Sequence, residues 1–404
     1  MTYRHFSRTT AILSLLSATA ATAQPAPWPD GAANLPEAEP AFAEQTEAPA
    51  QLSDFVIMRE DIGGGLVHPW AITALPDGGG YLVTERGGDL HHMGTDGTLS
   101  DPISGVPEVF AERQGGLLDI ALAPDFADSR VLYLTYAKPM GDGLSSTAAA
   151  RAVLSDDMTG LSEVEDIFVQ SPPSATPMHY GSRVVPTEDH IYITTGEHSS
   201  EAERFMAQVL AGHYGKVIRL MPDGSVPADN PFLETQAALP EIFSTGHRNV
   251  QGAAVNAQTG DLWVIEHGPA GGDEVNLVAA GANYGWPVVT YGINYSGTPV
   301  GSGFQRHAPL FTEPRYYWDP VIAPGGMEFY DGAMFPEWQG DILVSGLVAS
   351  ALVRLDIDGD IVTGEERLLE GIGRVRDVAV DDDGAVLLVL DTEDSPVVRL
   401  TRGE

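Results

Sequence analysis

Six times along this chain an apolar strand rich in β-branched and aromatic residues runs into a polar turn of Asp, Asn or Gly and returns as a second apolar strand. The six units are "WAITALPDGGGYLVTER", "LLDIALAPDFADSRVLYLTYA", "SRVVPTEDHIYITTGE", "GAAVNAQTGDLWVIEHG", "GMEFYDGAMFPEWQGDILVSG" and "VRDVAVDDDGAVLLVLDT". Several continue into a further strand and a DG turn, as in "LHHMGTDG", "VIRLMPDG" and "ALVRLDIDGD", giving three or four strands per unit. One such meander cannot bury its apolar faces alone. Six in series imply an all-β fold, a six-bladed β-propeller of four-stranded antiparallel blades, with residues 51–404 forming one domain. A β-sandwich and a pair of barrels are the competing architectures. The main candidate for a helix is "SSEAERFMAQVLAG", residues 199–212.

A propeller places the start of each first strand and the end of each second strand at one mouth of a central channel. Those positions hold His68, Trp70, Gln114, His179, Tyr180, Arg248, Asn249, Gln251, Arg374 and Arg376, then Glu85, Arg86, His267, Gly268, Pro269, Leu347 and Val348. A structural channel needs none of this polar chemistry. The formal charge is −36, so arginines gathered at one mouth stand out against an acidic background. Guanidinium forks bind carboxylates bidentately and keep their charge when desolvated, so Arg248, Arg374 and Arg376 together suit an anion with several carboxylates or phosphates. Each one alone is equally an ordinary loop arginine paired with Asp or Glu. His179, in "MHYGSR", is the best-placed candidate base, since a neutral imidazole can take a proton from a substrate hydroxyl. His91, His92, His190 and His307 read as surface or structural residues.

The stretch "EHGPAGGDEVNLVAAGANYGWPVVTYG", from Glu266 to Gly292, is a shaped Gly-rich loop at the same mouth. Carbonyls near Gly268 and Pro269 suit a hard cation, with Asp273, Glu274 and the "NYG" turn offering further oxygens. There is no cysteine, hence no disulfide and no thiolate metal site.

At the N-terminus, Arg4 and Arg8 precede the apolar run "TTAILSLLSATA", and Ala21-Thr22-Ala23 is a small-x-small site. Residues 1–23 read as a signal peptide cleaved near Ala23-Gln24, which implies a periplasmic or secreted protein. Residues 24–50, rich in Pro, Ala and Glu, read as a flexible leader outside the fold. The acidic surface disfavours nucleic acid and anionic membranes as partners, and no apolar run has the length of a membrane span.

The motifs "QGGLLDIALAPDF", "HYGSR", "AGHYGKVIRLMPDGSVPADNPF", "GHRNVQG", "EHGPAGGDEVN", "NYGWP", "INYSG" and "VRDVAVDDDG" closely resemble the soluble aldose sugar dehydrogenases that use pyrroloquinoline quinone (PQQ), the glucose/sorbosone dehydrogenase group. The similarity runs through all six units in order. It implies a quinone and a calcium at the channel mouth, an aldose substrate and an external electron acceptor. By this resemblance His179 is the base, Gln114 sits beside the reacting carbon, and Arg248 polarises the quinone oxygens with Asn249 alongside. Arg374 and Arg376 would bind the quinone's carboxylates. The carbonyls of Gly268 and Pro269 would hold the catalytic calcium, and Glu274 with the backbone of Tyr284 a second, structural calcium. Two departures stand out. Val348 occupies the position of a family lysine that reaches the cofactor, with Arg86 as a substitute cation, and Met178 stands where the glucose-active branch has an acid. The alternatives are a calcium-dependent propeller lactonase, whose metal is held by converging carboxylates and Asn, and a non-catalytic sugar- or protein-binding propeller.

Overall fold

The sequence's strand–turn–strand units fold as antiparallel meanders in a computed structural model that describes residues 25–28, 31–301, 303 and 306–403. The signal peptide expected at residues 1–23, and its cleavage point, lie outside the described residues. The first blade is Pro69–Ala74, Tyr81–Glu85 and Leu90–Met93, with an isolated bridge from Met93 to Leu99 at its outer edge. The second is Leu117–Leu122, Val131–Gly141, Leu144–Leu154 and Leu161–Val169. The third is Gly181–Pro186, Ile191–Thr195, Lys216–Leu220 and Ile242–Thr245, and the fourth Val250–Val255, Leu262–Glu266, Asp273–Leu277 and Tyr316–Trp318. The fifth is Pro324–Phe329, Ile342–Gly346, Ala351–Asp358 and Ile361–Leu368. The sixth takes Val375–Val380, Val386–Leu390 and Ser395–Arg402 from the C-terminal end and Ile57–Leu66 from the N-terminal side. That last strand, which the repeat pattern did not show, closes the ring by pairing the two ends of the propeller.

Each innermost strand packs against the innermost strands of both neighbouring blades, and the expected six-bladed propeller is what results. The apolar faces meet in six main clusters, one at each interface between blades. The first and second strands of every blade share a further feature. Their register slips so that two residues of the inner strand oppose one of its partner, between Pro69 and Ala71, Leu117 and Ile120, Gly181 and Val184, Val250 and Gly252, Pro324 and Met327, and Val375 and Asp377. A bulge bends its strand and re-aims the extra side chain. Trp70, Gln251 and Arg376 are such extra residues, all at the mouth named from the sequence.

Arg183 ties the ring together across the channel. Its Nη1 donates to Asp119 of the second blade (2.8 Å), its Nη2 to Asp377 of the sixth (2.7 Å), and its Nε to the Gln251 carbonyl of the fourth (2.6 Å). Its guanidinium lies 4.5 Å from the ring centre of Trp70 in the first blade. The fifth blade supplies Gly326, where any Cβ would fall on the Asp377 carboxylate.

Two expectations fail. Residues 31–50 are not a loose leader. Asn34 and Leu35 donate their backbone N–H groups to Asp319 (2.8 and 2.7 Å), Ala48 donates to the Tyr316 hydroxyl (3.0 Å), and Gln45 is fully buried, donating to the Pro314 carbonyl (2.9 Å). This segment covers the outer edge strand of the fourth blade, which would otherwise present unpaired polar groups. Nor is 199–212 a helix; only the single turn Arg204–Gln208 forms, a 3-10 turn. His198 and Ser199 adopt left-handed backbone (φ 61° and 66°), and the carbonyls of Met206 and Ala207 accept from the Lys216 ammonium (3.1 and 2.8 Å).

Replacing Arg183 by Met should lower unfolding stability by about 3–5 kcal/mol, because it leaves two buried carboxylates unpaired. Denaturant unfolding of the two proteins checks this, and an unchanged midpoint would show that the blades are not held through this residue.

Candidate active site

His179 precedes the inner strand of the third blade in left-handed backbone (φ 49°), a conformation that a non-glycine residue keeps only when its surroundings enforce it. Gln114 accepts the His179 backbone N–H at 2.8 Å. The imidazole is buried, and its Nδ1 lies 3.0 Å from Glu197 Oε2. Glu197 also receives the Trp286 indole N–H (3.1 Å) and the Ser199 backbone N–H. An ionised carboxylate can only accept, so the proton sits on Nδ1 and the lone pair on Nε2. Burial holds His179 below the ordinary imidazole range, and the Arg248 charge adds to this against the pull of Glu197. The result is a neutral imidazole whose Nε2 has no hydrogen-bond partner among the described residues, the state a base needs.

Beside it a cavity of about 110 Å³ is lined by Gln114, Asn249, Arg374 and Arg376, by His68, Trp70, Arg86, Gln251, His267 and Leu347, all named at this mouth from the sequence, and by Asp391, which was not. Arg376 is buried, 4.1 Å from the ring centre of Trp70 on which Arg183 also packs. Its Nη2 donates to Gln251 (2.8 Å), while its buried Nη1 has no partner among the described residues. Burial, with the charge of Arg183 close by, pushes Arg376 down to about 9. Arg374 differs from the expectation of a matched clamp. It is half-exposed and bonded through Nε to Asp391 (3.2 Å), which also takes His68 Nδ1 (2.8 Å) and lies 4.0 Å from Arg86. Asn249 accepts the Gly181 N–H (3.1 Å). Val348 is 58 % exposed, and it is Leu347 that faces the cavity.

Arg248 lies 5.1 Å from the Trp286 ring centre and donates to the His267 carbonyl (3.0 Å); its buried Nε is unpartnered among the described residues. It shares a second, much smaller cavity with His267, Gly268, Glu274, Tyr284 and His307. Among the described residues no hydrogen bond reaches the carbonyl oxygens of Gly268 or Pro269. Asp273 is not a spare ligand. It receives the Gly268 and Ala323 N–H groups (2.7 Å each), and burial pushes it up to about 7. Glu274 is already engaged by His307 (3.4 Å) and Asn276 (3.3 Å), so His307 is a buried structural residue.

Glu197, Trp286, Arg183 and Asp391 are functional-site neighbours not singled out from the sequence. Glu197 and Trp286 stand 18 and 107 positions from His179, and no local pattern links them. The geometry predicts that His179 titrates below about 6.5, the free imidazole value, and that Glu197→Gln lowers it further by removing the opposing charge. Imidazole ¹⁵N titration by NMR reads both; a value at or above the free one in the native chain would contradict the arrangement.

A sequence profile of the family described as Glucose / Sorbosone dehydrogenase matches residues 66–399. Over 338 residues the chain is 40 % identical to the aldose sugar dehydrogenase YliI of Escherichia coli (strain K12), covering 83 % of this chain and 90 % of that protein. The crystal structure of the soluble aldose sugar dehydrogenase from Escherichia coli in the apo-form superposes with a TM-score of 0.82 at 39 % identity, over 86 % of this chain and all of that one. The PQQ-bound form of the aldose sugar dehydrogenase from Streptomyces coelicolor gives 0.69 at 26 % identity, over 88 % of this chain and all of that one. On fold, mouth geometry and sequence together, the chain belongs to the glucose/sorbosone dehydrogenase family.

Proposed function

We propose that the chain is an exported quinoprotein that oxidises the anomeric carbon of aldose sugars to lactones, with PQQ and calcium at the channel mouth and electrons passed to an external acceptor. The observation that carries this reading is the pairing, at one mouth, of a neutral buried imidazole with a buried guanidinium whose Nη1 lacks a partner among the described residues. The unpartnered nitrogens of Arg376 and Arg248 suit an anionic organic cofactor, and the unengaged carbonyls of Gly268 and Pro269 suit calcium. When bound, the quinone supplies the acceptor for the hydride leaving the anomeric carbon.

The chain's own residues supply the rest. His179 Nε2 takes the proton of the anomeric hydroxyl. Glu197 fixes the Nδ1–H tautomer and stabilises the imidazolium that forms. Gln114 holds the His179 backbone from one side and lines the cavity on the other. Arg376, stacked on Trp70, offers Nη1 to a cofactor carboxylate, and Arg374 joins it if it leaves Asp391. A second calcium at Glu274 and the Tyr284 backbone requires His307 to yield the Glu274 carboxylate. The lactonase reading is disfavoured because, among the described residues, Asp391 is the one carboxylate lining the mouth cavity, and His68 and Arg374 already engage it. Mass spectrometry of the mature protein tests export, with a start near Gln24 expected.

Two variants separate chemistry from binding. His179→Gln keeps size and polarity but cannot take the proton, so it should hold quinone and calcium yet lose roughly 10²–10⁴ in turnover. Arg376→Ala removes a charge-assisted pair worth on the order of 1.5–3 kcal/mol, so quinone affinity should fall roughly tenfold to a hundredfold and excess quinone should recover rate. Cofactor titrations followed by turnover at saturation distinguish them. Normal turnover of His179→Gln would remove it as the base. Calcium is checked separately: chelation should abolish activity and calcium should restore it, and activity that survives in a calcium-free preparation would count against the Gly268–Pro269 site.

A further inference from the structure

One cation near His179 is used by neither the fold's ion pairs nor the reaction described above. Arg204 opens the Arg204–Gln208 turn, between the second and third strands of the third blade. Its guanidinium carbon lies 6.0 Å from the ring centre of Trp286, the indole that also carries Arg248 and donates to Glu197. Its Nη1 donates to Asn294 Oδ1 at 3.3 Å, and its Nε is buried without a partner. No ion pair engages it among the described residues, although the chain carries 57 acidic side chains against 21 Lys and Arg. In so acidic a protein, a guanidinium left without a carboxylate is a site from which the protein's own carboxylates are kept away.

The placement is fixed. Lys216, fully buried, holds the carbonyls of Met206 and Ala207, and the Arg204 backbone N–H donates to the Ser200 carbonyl (2.9 Å). Phe205 and Tyr295, sequence neighbours of the bonded pair Arg204 and Asn294, are 50 % and 80 % exposed. Exposed aromatic rings suit the apolar face of a pyranose ring, and a polar pair such as Arg204 and Asn294 can give orientation. Arg204 therefore belongs to the base side of the mouth, together with His179 and Trp286, whereas Arg374 and Arg376 lie on the sixth blade.

We propose that Arg204 selects aldoses that carry a carboxylate, such as hexuronates, by pairing with that carboxylate while the anomeric hydroxyl meets His179. This rests on the dehydrogenase reading. D-glucuronate and D-glucose differ only at the carbon bearing the carboxylate, which makes them a clean pair of probes.

The experiment has two arms on the full chain. In the reconstituted holoenzyme, the ratio of kcat/KM for glucuronate to that for glucose should fall roughly tenfold to a hundredfold in Arg204→Gln, the range of one charge-assisted hydrogen-bonded pair, and Arg204→Lys should restore part of it. Without quinone, tryptophan fluorescence should show glucuronate binding that weakens by a similar factor in Arg204→Gln and with added salt. An unchanged ratio with unchanged glucuronate binding overturns the proposal, and so does an equal loss for both sugars, which is what a merely structural arginine would give. If the native chain oxidises no aldose, the dehydrogenase reading fails by itself. The fluorescence arm then still decides, since glucuronate binding that depends on Arg204 upholds the carboxylate site and its absence overturns it.

Discussion

The Arg183 guanidinium is the point on which the rest of the structure converges. It leaves the third blade and reaches carboxylates of the second and sixth, a carbonyl of the fourth and the indole of the first, while the fifth blade gives up a side chain at Gly326 to make room. Ion pairs buried this deeply add little net stability over an apolar core, but breaking one is costly, so their value lies in register. Asp377 Oδ2 also accepts the Ile72 N–H and Asp119 Oδ2 the Val184 N–H, so the same carboxylates that meet Arg183 fix the inner strands of the first and third blades. The ring of inner strands is thereby set at the level just beneath the mouth.

Position then turns into chemistry through the repeated bulge. In each blade one extra residue is inserted where the inner strand begins, and in three blades that residue is Trp70, Gln251 or Arg376. Trp70 lies against both Arg183 and Arg376, at 4.5 and 4.1 Å, so the structural cation below and the cavity cation above share one indole. Gln251 links them again, receiving Arg183 on its carbonyl and Arg376 on its side chain. The cavity cation is thus held in place by neutral groups, and Arg376 keeps a donor without a partner among the described residues, in a chain of net charge −36. On the opposite side Glu197, fed by three N–H donors, keeps His179 in the tautomer whose Nε2 is open.

The sequence carried much of this in local form. Strands rich in β-branched and aromatic residues, with Asp, Asn or Gly turns between them, showed the six units, and the rule that inner strands begin at one mouth named Gln114, Asn249, Arg374 and Arg376, which line one cavity, with His179 bonded to Gln114. Partners distant in sequence were invisible. Nothing near His179 marks Glu197 or Trp286 as its companions, and nothing in the strand that carries Arg183 marks the carboxylates it meets in other blades. The strand Ile57–Leu66 was missed because its pairing partner lies at the other end of the chain. Composition misled at residues 31–50, where Pro, Ala and Glu read as disorder while Asp319, Tyr316 and Pro314 were waiting as partners. The helix expected at 199–212 does not form, and there the buried Lys216 side chain takes the carbonyls of Met206 and Ala207. Arg374 and Arg376, two apart in an extended run, were expected to act alike. The bulge at Arg376 buries one, and Asp391 holds the other at the rim.

The proposed function requires the mouth to be a preformed receptor for an anionic quinone and calcium. Calorimetric titration of the apo-protein with PQQ tests it most directly. The account predicts one quinone per chain, bound in a calcium-dependent manner and more weakly as salt rises. An absence of binding, or binding indifferent to both calcium and salt, would contradict it.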